Sequence, residues 1–317
     1  MKQLEEAARV ALTDCMGVKE GENVVVGCDE PLRKIGLAFW EVAKDLGTDA
    51  IFCEIVPRRT NGEEPPRAVA GLLLACDVFV LPTSRSLTHT DARRKACAKG
   101  ARGATLPGIT EDTMKRTLVA DYRGIEARTK KVASLVTGRS IARVTTRLGT
   151  DITMSIKGRT CLEDTGIVTQ HGTYTNLPAG EGFLAPVEGS ATGKMVIDGS
   201  AAGVGVVNEP IVIEVVDGFA TEITGGRAAE ALLGLVSKFG KEARNIAELG
   251  IGTNDEARLS GSILEDEKVM GTVHIALGDN VSMGGKVSVP SHLDLIIKDP
   301  TLTIDGNELI KDGKLLI

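Results

Sequence analysis

The chain has 317 residues, 42% hydrophobic and 25% charged, with a formal net charge of −6. That length allows one large or two ordinary domains, the balance is that of a globular protein, and the acidic surplus excludes the basic face a nucleic-acid binder needs. No apolar run approaches the ~18 residues of a membrane span, and with only 3% aromatic residues the core must be aliphatic.

The first residues, Met1-Lys2-Gln3-Leu4-Glu5-Glu6, lack the basic start and apolar block of a secretory signal, so a cytoplasmic location is expected. Leu4, Ala7, Ala8, Ala11 and Cys15 recur at helical spacing, and Gly17 supplies a stop. Asn23 to Cys28 reads as a strand. Pro31 opens a helix carrying Ile35, Ala38, Phe39, Val42 and Leu46. Ala50 to Val56 is a second strand, Ala68 to Ala75 a helix, and Asp77 to Leu81 a third strand. Apolar strands alternating with helices imply an α/β domain, a parallel sheet with helices on both faces. The first strand-to-helix turn, Gly27-Cys28-Asp29-Glu30-Pro31, has one glycine and two acids. It is neither a dinucleotide fingerprint nor a P-loop. The proline-rich stretch Pro57 to Arg67 reads as a solvated connection.

Asp121 to Val136 reads as a charged helix bridging two domains, after which the pattern changes. Ile141 to Arg147, Asp151 to Lys157, Lys194 to Asp198 and Ile211 to Asp217 are short strands between glycine-rich turns. Ala228, Leu232, Val236 and Phe239 mark one helix, and Thr301 to Ile317 reads as a hairpin. The division is an α/β domain over residues 1–130 and a β-rich α+β domain over 131–317. The six cysteines form no Cys-x-x-Cys pair and read as reduced, buried thiols.

The informative residues are acids and histidines on otherwise apolar strands. Side chains at i and i+2 share a face. In Ser291 to Lys298, Leu293, Leu295 and Ile297 point one way while His292 and Asp294 point the other together. In Gly271 to Gly278, His274 sits between small Thr272 and Ala276. In Asn245 to Gly252, Glu248 sits between Ile246 and Gly250. Small neighbours leave space, and imidazoles with carboxylates suit a divalent first-row metal. Pro178 and Gly180 shape a turn that aims Glu181 inward, and Glu265-Asp266-Glu267 precedes the His274 strand. Glu214 has no such partner and reads as structural or solvated.

The stretches NLPAGE, ELGIGTN, ILEDEKVMGTVHIALG and HLD, with TSRSLTHTDARRKA and DYRGIEARTKKVASLV before them, resemble the aminopeptidase T and aminopeptidase S family of metalloaminopeptidases. The resemblance implies metal ligation by Glu181, Glu248, His274, His292 and Asp294, with Glu267 the weaker match. It implies one or two divalent ions (Zn, Co, Mn or Mg) in the second domain and a homodimer. The activity implied is hydrolysis of the N-terminal residue of a short peptide by metal-activated water, Glu248 or Glu267 serving as base. No nucleic-acid or membrane partner is expected.

One position departs from that family: Gly278-Asp279-Asn280-Val281-Ser282 holds no tyrosine after His274, and the chain has only Tyr122 and Tyr174. The same superfamily includes 2,5-dihydroxypyridine 5,6-dioxygenase, which uses one Fe(II). That resemblance implies a two-histidine, one-carboxylate set of His274, His292 and Asp294, with His89 and His171 as acid and base and small-molecule substrate near Arg85. Alternatively, His89 is a polar cap of the following helix. A third reading is a metal-stabilised binding protein without turnover.

Overall fold

The computed structural model describes residues 1–317 and falls into two compact units. The first comprises Met1–Glu126 with Gly166–Ala179, the second Ala127–Thr165 with Gly180–Ile317.

The first unit is built on a five-stranded parallel sheet. Its order is Asp49–Ile55, Asn23–Asp29, Val78–Leu81, Arg102–Thr105, Tyr174–Asn176. Alternation along the strands sends Val25, Phe79 and Leu81 against the helices Arg67–Leu73 and Asp91–Ala98. Cys28 meets the helix Arg33–Asp45, where Gly36 lets the two elements close: a Cβ there would lie 2.8 Å from the Cys28 sulfur. The helix-covered parallel sheet that the apolar runs predict is therefore present.

Two strands of this sheet carry no apolar run. Arg102–Thr105 begins on a buried arginine whose guanidinium donates to the Met16 and Gly17 carbonyls and to both oxygens of Glu22. Burial is the largest single influence and raises the Glu22 carboxyl, but the Arg102 hydrogen bonds, the Lys19 N–H and the Arg102 charge together hold the group below its ordinary range. Tyr174–Asn176 is three residues long and arrives from the middle of the chain. It draws Gly166–Ala179 into the first unit, which corrects the simple division at residue 130.

The helix Tyr122–Val136 carries the chain into the second unit. That unit has an eight-stranded antiparallel sheet, in the order Phe219–Thr224, Ile211–Val216, Thr192–Ile197, Asp151–Ser155, Ile141–Thr145, Thr301–Ile304, Asn307–Lys311, Lys314–Leu315. The tail is thus a hairpin with a short third strand. A seven-stranded sheet follows the order Gly205–Val206, Ser200–Ala201, His292–Ile297, Val273–Gly278, Ile246–Gly252, Glu181–Leu184, Leu162–Asp164. Val144, Ile152, Met154, Met195 and Ile213 of the first sheet share one core with Leu249, Ile251, Val273, Ile275, Leu277, Leu295 and Ile297 of the second. Each such side chain contributes roughly 1.5–3 kcal/mol by leaving water, and together they leave the opposite face of the seven-stranded sheet free for polar groups.

All six cysteines are free, and burial pushes the Cys28, Cys76 and Cys161 thiols to about 12. Glu214 is exposed. No helix is long and apolar enough to cross a membrane.

Candidate metal centre

The four central strands of the seven-stranded sheet supply the centre. Their register aligns Glu248 with Ala276 and Ala276 with Asp294; Gly250 faces His274, Gly278 faces His292, and Gly252 faces Glu181. Donors and small residues therefore alternate across neighbouring strands on one face, and the leucines and isoleucines take the other. The pairing slips by one residue between Ile246 and Glu248, a bulge that sends Ile246 into the core with Leu249. Gly250 has a direct steric reason: a Cβ there would lie 1.9 Å from His274 Nε2. Glu181 follows a cis Leu177–Pro178 peptide and Gly180 at φ +124°.

Five of the expected ligands, Glu181, Glu248, His274, His292 and Asp294, come together, and Glu267 joins them. They form two donor groups, Glu181 with Glu267 and His274, and Glu248 with His292 and Asp294; within each group the ligand atoms lie within 4.8 Å of one another. Glu248 links the groups. Its Oε1 is 3.3 Å from His274 Nε2 and its Oε2 is 3.1 Å from His292 Nε2. Asp294 Oδ1 is 3.2 Å from the same His292 nitrogen. His274 groups with Glu181 and Glu267, and the set around His292 has one imidazole and two carboxylates, with Glu248 reaching the His274 and His292 imidazoles of the expected trio.

Glu181, Glu248, His274 and Asp294 are buried, whereas the His292 side chain keeps 31% of its surface exposed, so the centre meets solvent at His292. His292 Nδ1 is 2.8 Å from the Asp279 carbonyl oxygen. A backbone acceptor there fixes the tautomer and turns Nε2 toward Glu248 and Asp294, the arrangement of a metal-bound histidine.

Electrostatics follow from burial and crowding. Burial pushes Glu181 above its ordinary range and Glu267 to about 8, against the pull of Lys268. Burial also raises Glu248, but hydrogen bonds from His274 and His292 outweigh it and hold that carboxyl well below its usual range. Desolvation opposes charge on both imidazoles, yet Glu248 and Glu181 lift His274 to about 9, and Asp294 and Glu248 lift His292 well above its ordinary value. Glu181 Oε2 is 3.2 Å from His274 Nε2 but is not aligned for a hydrogen bond and has none. A buried carboxylate oxygen without a hydrogen bond, facing other donors, fits a cluster that protein groups alone do not satisfy. The donor set, oxygen with imidazole, fits Fe(II), Mn(II) or Zn(II).

The remaining expected residues belong to neither donor group. His89 and His171 belong to the first unit and are exposed; His171 Nδ1 is 3.2 Å from the Gly100 carbonyl oxygen. The cap of the helix Asp91–Ala98 is Thr90, not His89. Arg85 is exposed, also in the first unit. Glu265 and Asp266 are buried but serve the preceding loop, accepting from the backbone N–H groups of Arg258, Ser260 and Gly261.

Two features escape the strand-alternation argument. Lys268, between Glu267 and the His274 strand, is buried against the carboxylates. In the first unit, Thr88, Thr105 and Asn176 form a hydrogen-bonded cluster at strand C-terminal ends, with separations of 2.6 to 3.0 Å. Open α/β sheets take ligands at that edge.

Among known proteins, the profile of the 2,5-dihydroxypyridine 5,6-dioxygenase (NicX) family matches residues 3–317. A 2,5-dihydroxypyridine 5,6-dioxygenase of Pseudomonas putida is 26% identical over 220 residues, 65% of this chain and 59% of the relative; the match thus spans less than two thirds of that protein. The solved structure of 2,5-dihydroxypyridine dioxygenase from Pseudomonas putida KT2440 superposes with a TM-score of 0.84 at 20% identity, covering 99% of this chain and 97% of that one. Wild-type AmpT from Thermus thermophilus superposes with a TM-score of 0.74 at 17% identity, covering 100% and 99%. At these identities the two structures establish a shared fold. The family match is to the dioxygenase, and the aminopeptidase T structure shares the fold.

Proposed function

The chain belongs to the 2,5-dihydroxypyridine 5,6-dioxygenase family, and from that premise we propose that it is a divalent-metal enzyme that opens a dihydroxylated aromatic ring with dioxygen. The observation that carries this reading is the compact trio of Glu248, His292 and Asp294, solvent-facing at His292 and buried elsewhere. Three protein donors on one side of an ion leave positions for exogenous ligands, as in non-haem Fe(II) oxygenases, although this trio has one histidine rather than two. Bound Fe(II) would supply the redox centre at which dioxygen and the ring diol react.

The protein's own contribution is positional. Asp279 holds the His292 ring through its carbonyl oxygen, and Glu248 and Asp294 present carboxylate oxygens from strands on either side of the His274 strand. Gly250 and Gly278 admit the His274 ring and the Ser291 carbonyl oxygen, which a Cβ would meet at 1.9 Å and 2.1 Å. The test is oxygen uptake with 2,5-dihydroxypyridine after anaerobic loading with Fe(II). Uptake that matches ring loss one to one supports the reading, and no uptake with a fully loaded protein rejects it.

A second reading is hydrolysis of an N-terminal residue, favoured by the second donor group of Glu181, Glu267 and His274, since adjacent ions polarise a carbonyl and activate water. Release of leucine from a leucyl peptide without oxygen consumption would support it. The acid–base roles of His89 and His171 rest on the resemblance to the dioxygenase. A homodimer and a cytoplasmic location are further parts of the proposal. Bound metal with neither activity would favour the non-catalytic binding protein.

A further inference from the structure

The His292 ring is steered by the stretch just before its own strand. The Asp279 carbonyl oxygen, which accepts from His292 Nδ1, belongs to the loop 279–291 between the His274 strand and the His292 strand. This loop folds around Asn280, which is fully buried. Asn280 Oδ1 accepts from the Val287 N–H at 2.9 Å, and its backbone oxygen accepts from the Met283 and Gly285 N–H groups. Gly285 has to be glycine, since a Cβ there would lie 2.0 Å from Asn280 Cγ. Glu188, in the loop after the strand Glu181–Leu184, fastens this structure to the unit. Its Oε1 accepts from Asn280 Nδ2 at 3.1 Å and from the Lys286 N–H at 2.7 Å, and its Oε2 accepts from the Arg159 guanidinium at 2.6 Å. Arg159 follows the strand Asp151–Ser155 of the eight-stranded sheet and also donates to the Pro186 and Gly284 carbonyls. Burial raises the Glu188 carboxyl, but its own N–H, the Lys286 N–H, the Asn280 amide and Arg159 together hold it below its ordinary range, so it is an acceptor only.

We propose that Glu188 is a positioning residue for His292: with Arg159 it clasps the loop 279–291 at Asn280 and Lys286, and so fixes the Asp279 carbonyl that aims His292 Nε2 at Glu248 and Asp294. Glu188 belongs to neither donor group. It acts on His292 through two residues, Asn280 and its neighbour Asp279, and it ties a turn of the eight-stranded sheet to the mouth of the polar face on the seven-stranded one. The inference rests on the reading that His292 is a metal ligand, and it is independent of the reaction performed. Its functional meaning is that grip on the ion depends on a loop outside the donors, since a ligating imidazole is held in line by the acceptor at its other nitrogen.

The experiment follows the ring itself. Wild type, Glu188→Ala, Glu188→Gln and Arg159→Ala are isotope-labelled in the imidazole nitrogens of the four histidines. The His292 Nδ1–H resonance, assigned with His292→Gln, is recorded by NMR without metal and with Zn(II), and Zn(II) affinity is measured by chelator competition. Wild type is expected to show a solvent-protected Nδ1–H in both states. Glu188→Ala is expected to lose that protection and to bind Zn(II) about 10- to 100-fold more weakly. Glu188→Gln, which keeps an oxygen for Asn280 and Lys286, is expected to keep both at the wild-type level. A folded Glu188→Ala with unchanged resonance and affinity overturns the proposal, as does an unprotected Nδ1–H in wild type. Equal loss in Glu188→Gln also overturns it, because the effect then belongs to charge rather than to the loop. If Glu188→Ala does not fold, Arg159→Ala decides: lost protection supports the clasp and full protection overturns it. A wild type that binds no Zn(II) rejects the metal reading, and the clasp then stands or falls on the metal-free resonance alone.

Discussion

The two donor groups share one face of one sheet, yet their charge is met in opposite ways. Around Glu181 and Glu267 the chain supplies its own cation, shut away from solvent; around Glu248 and Asp294 it supplies imidazoles, one reaching the surface. The difference teaches that a cluster of carboxylates and histidines does not state how many ions it takes. A buried ammonium meets the carboxylates of one half, and imidazoles meet those of the other.

The largest expected effect breaks the open half. Asp294→Ala removes a carboxylate from the trio, and its retained metal should fall to near zero, with ring-opening turnover down by at least ~100-fold, an order of magnitude suited to loss of a metal ligand. Elemental analysis and oxygen uptake check this, and the circular dichroism of the first unit's helices should stay unchanged. The half that holds Lys268 should respond in stability instead. Without metal, Lys268→Met leaves buried carboxylates unpaired and should cost roughly 3–5 kcal/mol, read from the denaturant midpoint.

A milder change sharpens the boundary between the halves. Gly250→Ala puts a methyl group 1.9 Å from the present position of His274 Nε2, so the imidazole must move. Overpacking of this kind costs about 1–3 kcal/mol, and the ion should be held more loosely because Glu248 loses its partner. Metal retention and the unfolding midpoint read the two effects. The smallest effect lies outside the two halves. Arg143 and Asp151 form an exposed pair on the eight-stranded sheet. Arg143→Ala should leave metal content and unfolding midpoint unchanged, since exposed ion pairs contribute little.

Much of the architecture is legible in the sequence because alternation is a local signal. The runs at Asn23, Ala50 and Asp77 announce three parallel strands, and His292-x-Asp294, His274 and Glu248 among small residues announce a polar face on an apolar sheet. What is illegible depends on distant partners. Tyr174–Asn176 is too short to show a pattern, and its place beside Arg102–Thr105 follows from long-range pairing. The bulge at Ala247 reverses Ile246, which strict alternation puts on the donor face. Lys268 escapes a sequence reading because lysine ordinarily stays at the surface. Its one local clue is its position directly after Glu265-Asp266-Glu267, and that run reads equally well as a solvated charged turn. The division of His274 from His292 needs the register, since both sit on strands with the same pattern.

The central claim, a cation gripped by side chains of the second unit, is tested most directly by diffraction from Mn(II)- or Fe(II)-loaded crystals at the metal's absorption edge. The account predicts an anomalous peak among Glu181, Glu248, Glu267, His274, His292 and Asp294. A peak elsewhere, or none at full loading, would contradict it.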